Sequence, residues 1–189
     1  MMAGRKFMRD HSGRIALVHY DRATIVLHWL TVALILVLFA LAESWGFLPH
    51  GSLRKEFQSL HISLGILLAV VLAVRLGWRA SRGRQLPASV TGLQNLAAKA
   101  VQYALYLLLT VQVTLGFLYR WAQGESFMFL GLFPIQFSTS KNSALDDTFG
   151  SYHNTVAWLI IILAGLHATA ALIHYYVLKD GVLQRMLPR

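Results

Sequence analysis

The chain of 189 residues is 56% hydrophobic and only 13% charged, which is too apolar for an ordinary soluble domain. It contains no cysteine, and this excludes disulfides, thiolate metal sites, iron–sulfur clusters and covalent c-type haem attachment. The net charge of +9 comes from basic residues clustered between long apolar runs, a distribution that argues against a nucleic-acid-binding protein.

The first 23 residues are polar and basic and lack an apolar signal core, so we expect a tail that lies near anionic headgroups. Four uncharged apolar runs follow, and each is long enough to cross a bilayer as a helix. The predicted fold class is therefore all-α, an integral membrane four-helix bundle. Its spans are expected at about residues 25–45, 57–78, 99–120 and 151–178.

Basic residues around these spans indicate how the bundle lies in the membrane. The N-terminal tail, the 79–99 loop and the C-terminal tail carry twelve Lys and Arg residues, whereas the other two loops carry four. The positive-inside rule then places both termini in the cytoplasm. We expect a cytoplasmic tail at 1–23, the transmembrane domain at 24–179 and a second cytoplasmic tail at 180–189.

Four histidines fall within the predicted spans at two depths. His61 and His153 lie near the outer ends of the second and fourth spans, whereas His28 and His167 lie nearer the inner face. The 14 residues from His153 to His167 correspond to about 21 Å along a helix. Two imidazoles from different helices suit the axial positions of haem b, so we predict two haem b groups stacked across the bilayer for electron transfer.

Other interpretations of the four histidines stay open. Buried histidines also make hydrogen bonds between helices, as they would in a structural membrane protein without a cofactor. Zinc is a further alternative, although it requires three or four ligands gathered at one depth.

His174 lies one heptad beyond His167, at the predicted inner edge of the membrane. This position suits a hydrogen bond to a quinone carbonyl as well as an interfacial imidazole that meets headgroups. Arg75 and Arg79 are candidate partners of the inner haem propionates, or else inner-leaflet anchors. On the outer side, candidates for steering an anion are Arg54, Lys55 and Arg120. The alternative is that they belong to a solvated basic loop.

The segment from Phe127 to Phe137 is aromatic and apolar but too short to span a membrane. We expect it either to lie in the outer interface or to cap the outer haem. The sequence does not decide between these two placements.

Short motifs around the histidines resemble those of the bacterial dihaem cytochrome b561 family, over roughly residues 20–189. The resemblance implies that His28, His61, His153 and His167 are the haem ligands and that His174 belongs to a quinone site. The motifs are Leu27-His28-Trp29-Leu30, Leu60-His61-Ile62-Ser63 with Gly65, Tyr152-His153-Asn154-Thr155, Gly165-Leu166-His167-Ala168, His174-Tyr175 and the closing Leu183 to Pro188.

Within that family the chain looks most like the superoxide-oxidising members. The resemblance implies an oxidoreductase of the bacterial inner membrane that oxidises superoxide to dioxygen at the periplasmic haem and reduces ubiquinone near the inner one. The alternative is a cytochrome b conduit between a periplasmic redox partner and the quinone pool. That role requires an outer docking surface, which the loop at 120–147 could supply if it is ordered.

Overall fold

Four long helices account for most of the computed structural model, which describes residues 19–83, 86–87 and 92–188. Each helix is long and apolar enough to cross a membrane, and the predicted all-α integral membrane four-helix bundle is confirmed. The helices are α1 (Arg22–Ser44), α2 (Ser52–Ser81), α3 (Gly92–Gln123) and α4 (Ser143–Ile173). A 3-10 turn at Trp45–Phe47 follows α1, and a π-helical turn at His174–Leu178 and a 3-10 turn at Leu183–Met186 follow α4.

Successive helices run in opposite directions, so His61 and His153 share one end of the bundle, here called the His61 end. The opposite end holds His28 and is called the His28 end. The predicted basic tail up to residue 18, Arg84 in the loop after α2, and the terminal Arg189 lie outside the described residues.

The helices pack in two pairs, α1 against α2 and α3 against α4, and α2 joins the pairs through its contact with α3. One buried apolar cluster lies between α1 and α2, and a second joins α2, α3 and α4. Many large apolar side chains outside these clusters are exposed, because the surface of a membrane bundle faces lipid rather than water. The buried residues are Leu34, Leu38, Leu68 and Val71 in the first cluster and Leu72, Leu109 and Ile160 in the second.

Polar side chains define where two of the helices begin. The Asp21 carboxylate accepts hydrogen bonds from the Thr24 amide at 2.9 Å and from the Trp78 indole at 2.9 Å, so it caps α1 and ties it to α2. The Asn142 side chain accepts from the Leu145 amide at 3.2 Å and caps α4. Both caps satisfy backbone N–H groups that have no partner within the helix.

A β-hairpin follows α3 at the His61 end. Strands β1 (Phe127–Phe129) and β2 (Phe133–Ile135) pair antiparallel, and β1 lies along α2. The chain reaches the hairpin through Gly124, whose φ of +65° and close approach to Ser140 leave no room for a side chain.

At the His28 end, the last residues fold back over the start of the bundle. The Arg185 carbonyl accepts from the Tyr20 amide at 3.1 Å, and the Met186 carbonyl accepts from the Trp29 indole at 2.8 Å. The Arg185 guanidinium donates to the Pro87 carbonyl at 2.7 Å. We call this set of contacts the C-terminal clasp, because it joins α1, the loop after α2 and the chain beyond α4.

Candidate functional site

At the His61 end, two imidazoles from different helices face each other. The ring centroids of His61 on α2 and His153 on α4 lie 6.3 Å apart, and the rings are inclined at 78°. A metal–nitrogen bond to imidazole is about 2.0–2.1 Å long in zinc sites. When that bond length and the distance from the nitrogen to the ring centroid are added for two imidazoles on opposite sides of one metal ion, the centroids lie about 6 Å apart. The observed separation therefore matches two axial ligands of one metal ion.

The ring of His61 is oriented by the helix beside it. Its Nδ1 donates a hydrogen bond to the Leu38 carbonyl of α1 at 3.0 Å, and the Trp45 indole packs edge-on at 5.1 Å between centroids. Because the proton is held on Nδ1, the Nε2 lone pair is left available for a metal. A carbonyl partner on the second nitrogen is the usual arrangement around metal-ligating histidines.

The ring of His153 lies against α3. A Cβ on Gly116 would come within 3.2 Å of the His153 Cε1, so the bare glycine lets the imidazole pack close to the helix. The Nε2 of His153 lies 3.2 Å from the Gln112 amide nitrogen, while the buried Nδ1 has no hydrogen-bond partner. A buried polar atom without a partner is costly in the protein alone.

A cavity of about 400 Å³ extends from the two rings. Its walls are mostly apolar and come from α1, α2, α3 and α4, and Gly65 and Gly116 expose bare backbone to it. The polar residues of its wall are Gln58, Gln112, Tyr119, Arg120, Gln123, Glu125 and Asn154.

The residues present fit haem b at this end. Opposed imidazoles, a mostly apolar cavity and glycines beside it are what a flat macrocycle between helices requires. Zinc fits less well, because no group of three or more histidine or carboxylate side chains converges within the part of the chain that the structure describes.

Of the basic residues proposed to steer an anion, Arg120 lines the cavity, whereas Arg54 and Lys55 do not. The Arg120 side chain is only 11% exposed and donates to the Gln123 side chain at 2.7 Å and to the Ser126 carbonyl at 2.6 Å.

The Arg120 guanidinium also lies 3.6 Å from the Glu125 carboxylate and 5.7 Å from the Phe127 ring centre, and its Nε is buried without a partner. Arg54 and Lys55 lie in the first turn of α2, before the chain reaches the cavity. The structure therefore brings one of the three cations to the site.

The segment from Phe127 to Phe137 also reaches this end. Its last residue, Phe137, lines the cavity, and its ring packs against Phe117 at 5.7 Å and Phe127 at 5.8 Å between centroids. The segment thus contributes to the cavity wall while its strand β1 lies along α2.

At the His28 end the histidines are arranged differently. An Arg75 nitrogen donates to the His28 Nδ1 at 2.9 Å, and the same guanidinium stacks over Tyr106 at 5.1 Å. His167 lies within electrostatic range of His28 and Arg75, and its side chain is exposed. Arg79 lies with Arg75 around a small hollow near Trp78.

His174 begins the π-helical turn that continues α4. Its Nδ1 lies 2.5 Å from a carboxylate oxygen of Asp180, and its backbone carbonyl accepts from the Asp180 amide. The left-handed conformation of Lys179, with φ of 50°, turns the chain so that Asp180 faces back toward His174. Asp180 was missed by sequence reasoning, since a single acid after the last helix carries no distinctive pattern.

Helix α3 supplies no histidine, and the sequence analysis assigned only Arg120 of this helix to the site. In the structure it presents one polar side to the cavity. The residues of this side recur three or four positions apart, a spacing that places them on one face of a helix, and this spacing was the signal available in the sequence. The residues are Gln112, Gly116, Tyr119, Arg120 and Gln123.

A four-helix membrane bundle with opposed imidazoles beside an apolar cavity defines a membrane electron-transfer cytochrome. Comparison with known proteins agrees, since residues 19–189 match the family described as prokaryotic cytochrome b561. The chain belongs to this family, which implies haem b and transmembrane electron transfer.

Individual relatives cover most of both chains. Cytochrome b561 homolog 2 of Escherichia coli is 33% identical over 171 residues, which are 89% of this chain and 90% of the relative. Probable superoxide oxidase CybB of Yersinia pestis is 31% identical over 172 residues, 90% of this chain and 96% of the relative. Cytochrome b562 of Cereibacter sphaeroides is 28% identical over 174 residues, 89% of this chain and 94% of the relative.

Proposed function

We propose that the protein oxidises superoxide at the His61 end and passes the electrons across the membrane to ubiquinone. The observation that carries this proposal is the pair of imidazoles at 6.3 Å beside a cavity whose wall contains the Arg120 guanidinium. The similarity to a probable superoxide oxidase supports the choice of substrate. Two superoxide anions, one ubiquinone and two protons would yield two dioxygen molecules and one ubiquinol.

Two haem b groups are assigned to the four span histidines. His61 and His153 would hold one group, and His28 and His167 would hold the other. Haem held by such a pair would supply one-electron chemistry, and because both imidazoles would bind the iron, none of its positions would be left for oxygen. The protein's own part is to fix the ring orientations, as the Leu38 carbonyl does for His61.

Arg120 would raise the local concentration of the anionic substrate. Its guanidinium lies in the cavity wall, where water screens a charge less than at an open surface. Gln123, the Ser126 carbonyl and the exposed Glu125 carboxylate at 3.6 Å hold it in place, while the Nε remains without a partner. Arg54 and Lys55 would contribute only to the general field at this end.

At the His28 end, His174 would hydrogen-bond a quinone carbonyl. The Asp180 carboxylate accepts the Nδ1–H of His174, which fixes the ring and leaves Nε2 for the quinone. Arg75 and Arg79 would hold propionates of the second haem through charge-assisted hydrogen bonds. The positive-inside distribution supports a bacterial inner membrane with both termini in the cytoplasm, so that protons for ubiquinol come from that side.

Rapid mixing of the purified protein with superoxide tests the substrate. We expect haem reduction in the visible spectrum, followed by reoxidation when ubiquinone is added. R120Q should slow the superoxide-dependent phase about tenfold at low ionic strength, because steering by a local field contributes at least that much. R54Q is the matched control at the same end and should change the rate far less.

Absence of haem reduction by superoxide would overturn the proposal and favour a conduit that serves a periplasmic redox protein. Copurification with such a protein would identify that second role.

The quinone site is tested separately through H174A and D180N. Both variants should keep the haem content of the parent protein and its reduction by superoxide, while reoxidation by ubiquinone slows, more in H174A than in D180N. H50A, in the loop before α2, is the control. Normal quinone-dependent reoxidation in H174A would remove His174 from the proposed site.

A further inference from the structure

We propose that the β-hairpin at residues 127–135 is re-entrant, so that its tip inserts into the acyl chains of the leaflet at the His61 end. The proposal concerns the placement of the hairpin in the membrane and does not depend on the electron donor. It rests on the depth at which the hairpin contacts α2, the apolar character of its tip and the hydrogen bonds that the Met128, Leu130 and Leu132 amides make.

The depth is read from α2. The uncharged stretch from Phe57 to Val74 lies between Glu56 and Arg75. At 1.5 Å per residue it is about 27 Å long, close to the thickness of the hydrocarbon layer of a bilayer. Ser63 follows Phe57 by six residues, so it lies about 9 Å inside the hydrocarbon boundary along the helix axis.

The hairpin follows α2 inward from this boundary. The Met128 amide donates to the Ser59 hydroxyl at 3.4 Å, and the Leu130 amide donates to the Ser63 hydroxyl at 3.0 Å. Strand β1 therefore descends about one helical turn, and the turn between the strands is its deepest part. Ser63 itself is fully buried by this contact.

The deepest residues are apolar and exposed. Leu130 is 50% exposed, Leu132 73% and Phe133 50%, and no charged residue occurs between Glu125 and Lys141. Side chains of this kind at the depth of Ser63 face lipid rather than water. Acyl chains are therefore the occupant that the surrounding surface indicates, since the exposed side chains in the uncharged stretch of α2, among them Leu60 and Leu67, are apolar as well.

Backbone at this depth is tolerated only when its polar groups are satisfied. Met128 and Pro134 are paired across the two strands, and the Met128 N–H points away from β2 toward Ser59. In such a pair the N–H of the second residue also points outward, so an N–H at position 134 would point away from β1. Proline has no N–H, and the free edge of β2 thus exposes no donor to lipid there. The Leu132 amide is satisfied by the Phe129 carbonyl at 2.9 Å.

Site-directed spin labelling tests the insertion, and the cysteine-free chain makes each introduced cysteine unique. The full-length variants L132C, Q136C, H50C and I162C would be labelled in vesicles of phosphatidylethanolamine and phosphatidylglycerol. Accessibility to dissolved oxygen is compared with accessibility to a water-soluble nickel chelate. H50C is the aqueous control, and I162C on the exposed side of α4 is the lipid control.

We expect the label at Leu132 to resemble that at Ile162, with high access to oxygen and low access to nickel, and to lie deeper than the label at Gln136. A Leu132 label as accessible to nickel as that at His50 would overturn the proposal and indicate an aqueous or protein-docking surface. A label shallower at Leu132 than at Gln136 would overturn it too. Visible spectra of the labelled variants show whether the haem complement is retained, so a failed fold is not mistaken for either result.

Discussion

At the His61 end, two imidazoles oppose each other across 6.3 Å beside an apolar cavity, whereas at the His28 end the Nδ1 of His28 accepts a hydrogen bond from Arg75. The neighbours of the first pair are neutral, namely a backbone carbonyl, an amide and a glycine. The neighbour of the second pair is a cation held between an imidazole and a tyrosine ring.

The two ends therefore differ in whether the histidine ring is already oriented and protonated for binding a metal. His61 already carries its proton on the nitrogen turned toward Leu38, so its other nitrogen needs no rearrangement to bind a metal. His28 receives a hydrogen bond on Nδ1, so the proton of its neutral form lies on Nε2. Coordination through Nε2 would require Arg75 to leave the ring, and the propionates of a haem bound there would offer the guanidinium a new partner.

The largest expected effect is loss of one haem when a proposed ligand is removed. H61A and H28A should each reduce the haem content from two groups per protein to one, with different bands missing from the reduced-minus-oxidised spectrum. H50A, which changes a histidine in the loop before α2, should leave the content unchanged. Unaltered haem content in either ligand variant would contradict the assigned pairing.

A smaller and one-sided effect is expected from G116A. The added methyl would lie 3.2 Å from the His153 Cε1, so the ring must move by a few tenths of an ångström. We expect shifted electron paramagnetic resonance g-values for the haem at the His61 end and unchanged ones at the His28 end. G77A on α2 is the control, because a Cβ at Gly77 would have no neighbour within 4 Å. Equal changes at both haems would show that the two ends are not independent.

Arg75 offers the matching test at the opposite end. R75Q removes a positive charge beside His28, which should lower the midpoint potential of the nearer haem by on the order of tens of millivolts. The haem at the His61 end should keep its potential, as measured in a spectroelectrochemical titration. R82Q, at the exposed end of α2, is the control. A potential shift confined to the haem at the His61 end would contradict the assignment of Arg75 to the His28 end.

The smallest effects concern the helix caps. D21A removes the acceptor for both the Thr24 amide and the Trp78 indole and should lower the free energy of unfolding by about 1–2 kcal/mol. N142A removes a single longer bond at the His61 end and should cost about 0.5–1 kcal/mol. Unfolding in mixed micelles measures both, and a larger loss in N142A would reverse this ranking.

The sequence was sufficient for the fold class because membrane helices are specified by apolar length. Runs such as Ile25–Ala42 contain no charge and have no alternative to a helix inside lipid. The shared depth of His61 and His153 also followed from counting residues along two antiparallel spans. Their role as haem ligands stays a prediction.

Rotation about each helix axis was beyond the sequence, and it decides most of the remaining site. Arg54, Lys55 and Arg120 are all basic residues near the same membrane face, yet only Arg120 has its side chain in the cavity wall. The contact between Arg75 and His28 depends in the same way on how α1 and α2 are turned. The hairpin posed a different problem, because its position is set by hydrogen bonds to Ser59 and Ser63, which are distant in sequence.

The C-terminal clasp bears on the order of assembly during translation. Arg185 and Met186 leave the ribosome after all four helices, and they bind Tyr20 and Trp29 at the start of the first one. The N-terminal helix therefore lacks these partners until residues 185 and 186 have left the ribosome. Before that point the first helix would be held mainly by its packing against α2 and would lack its contacts with Arg185 and Met186.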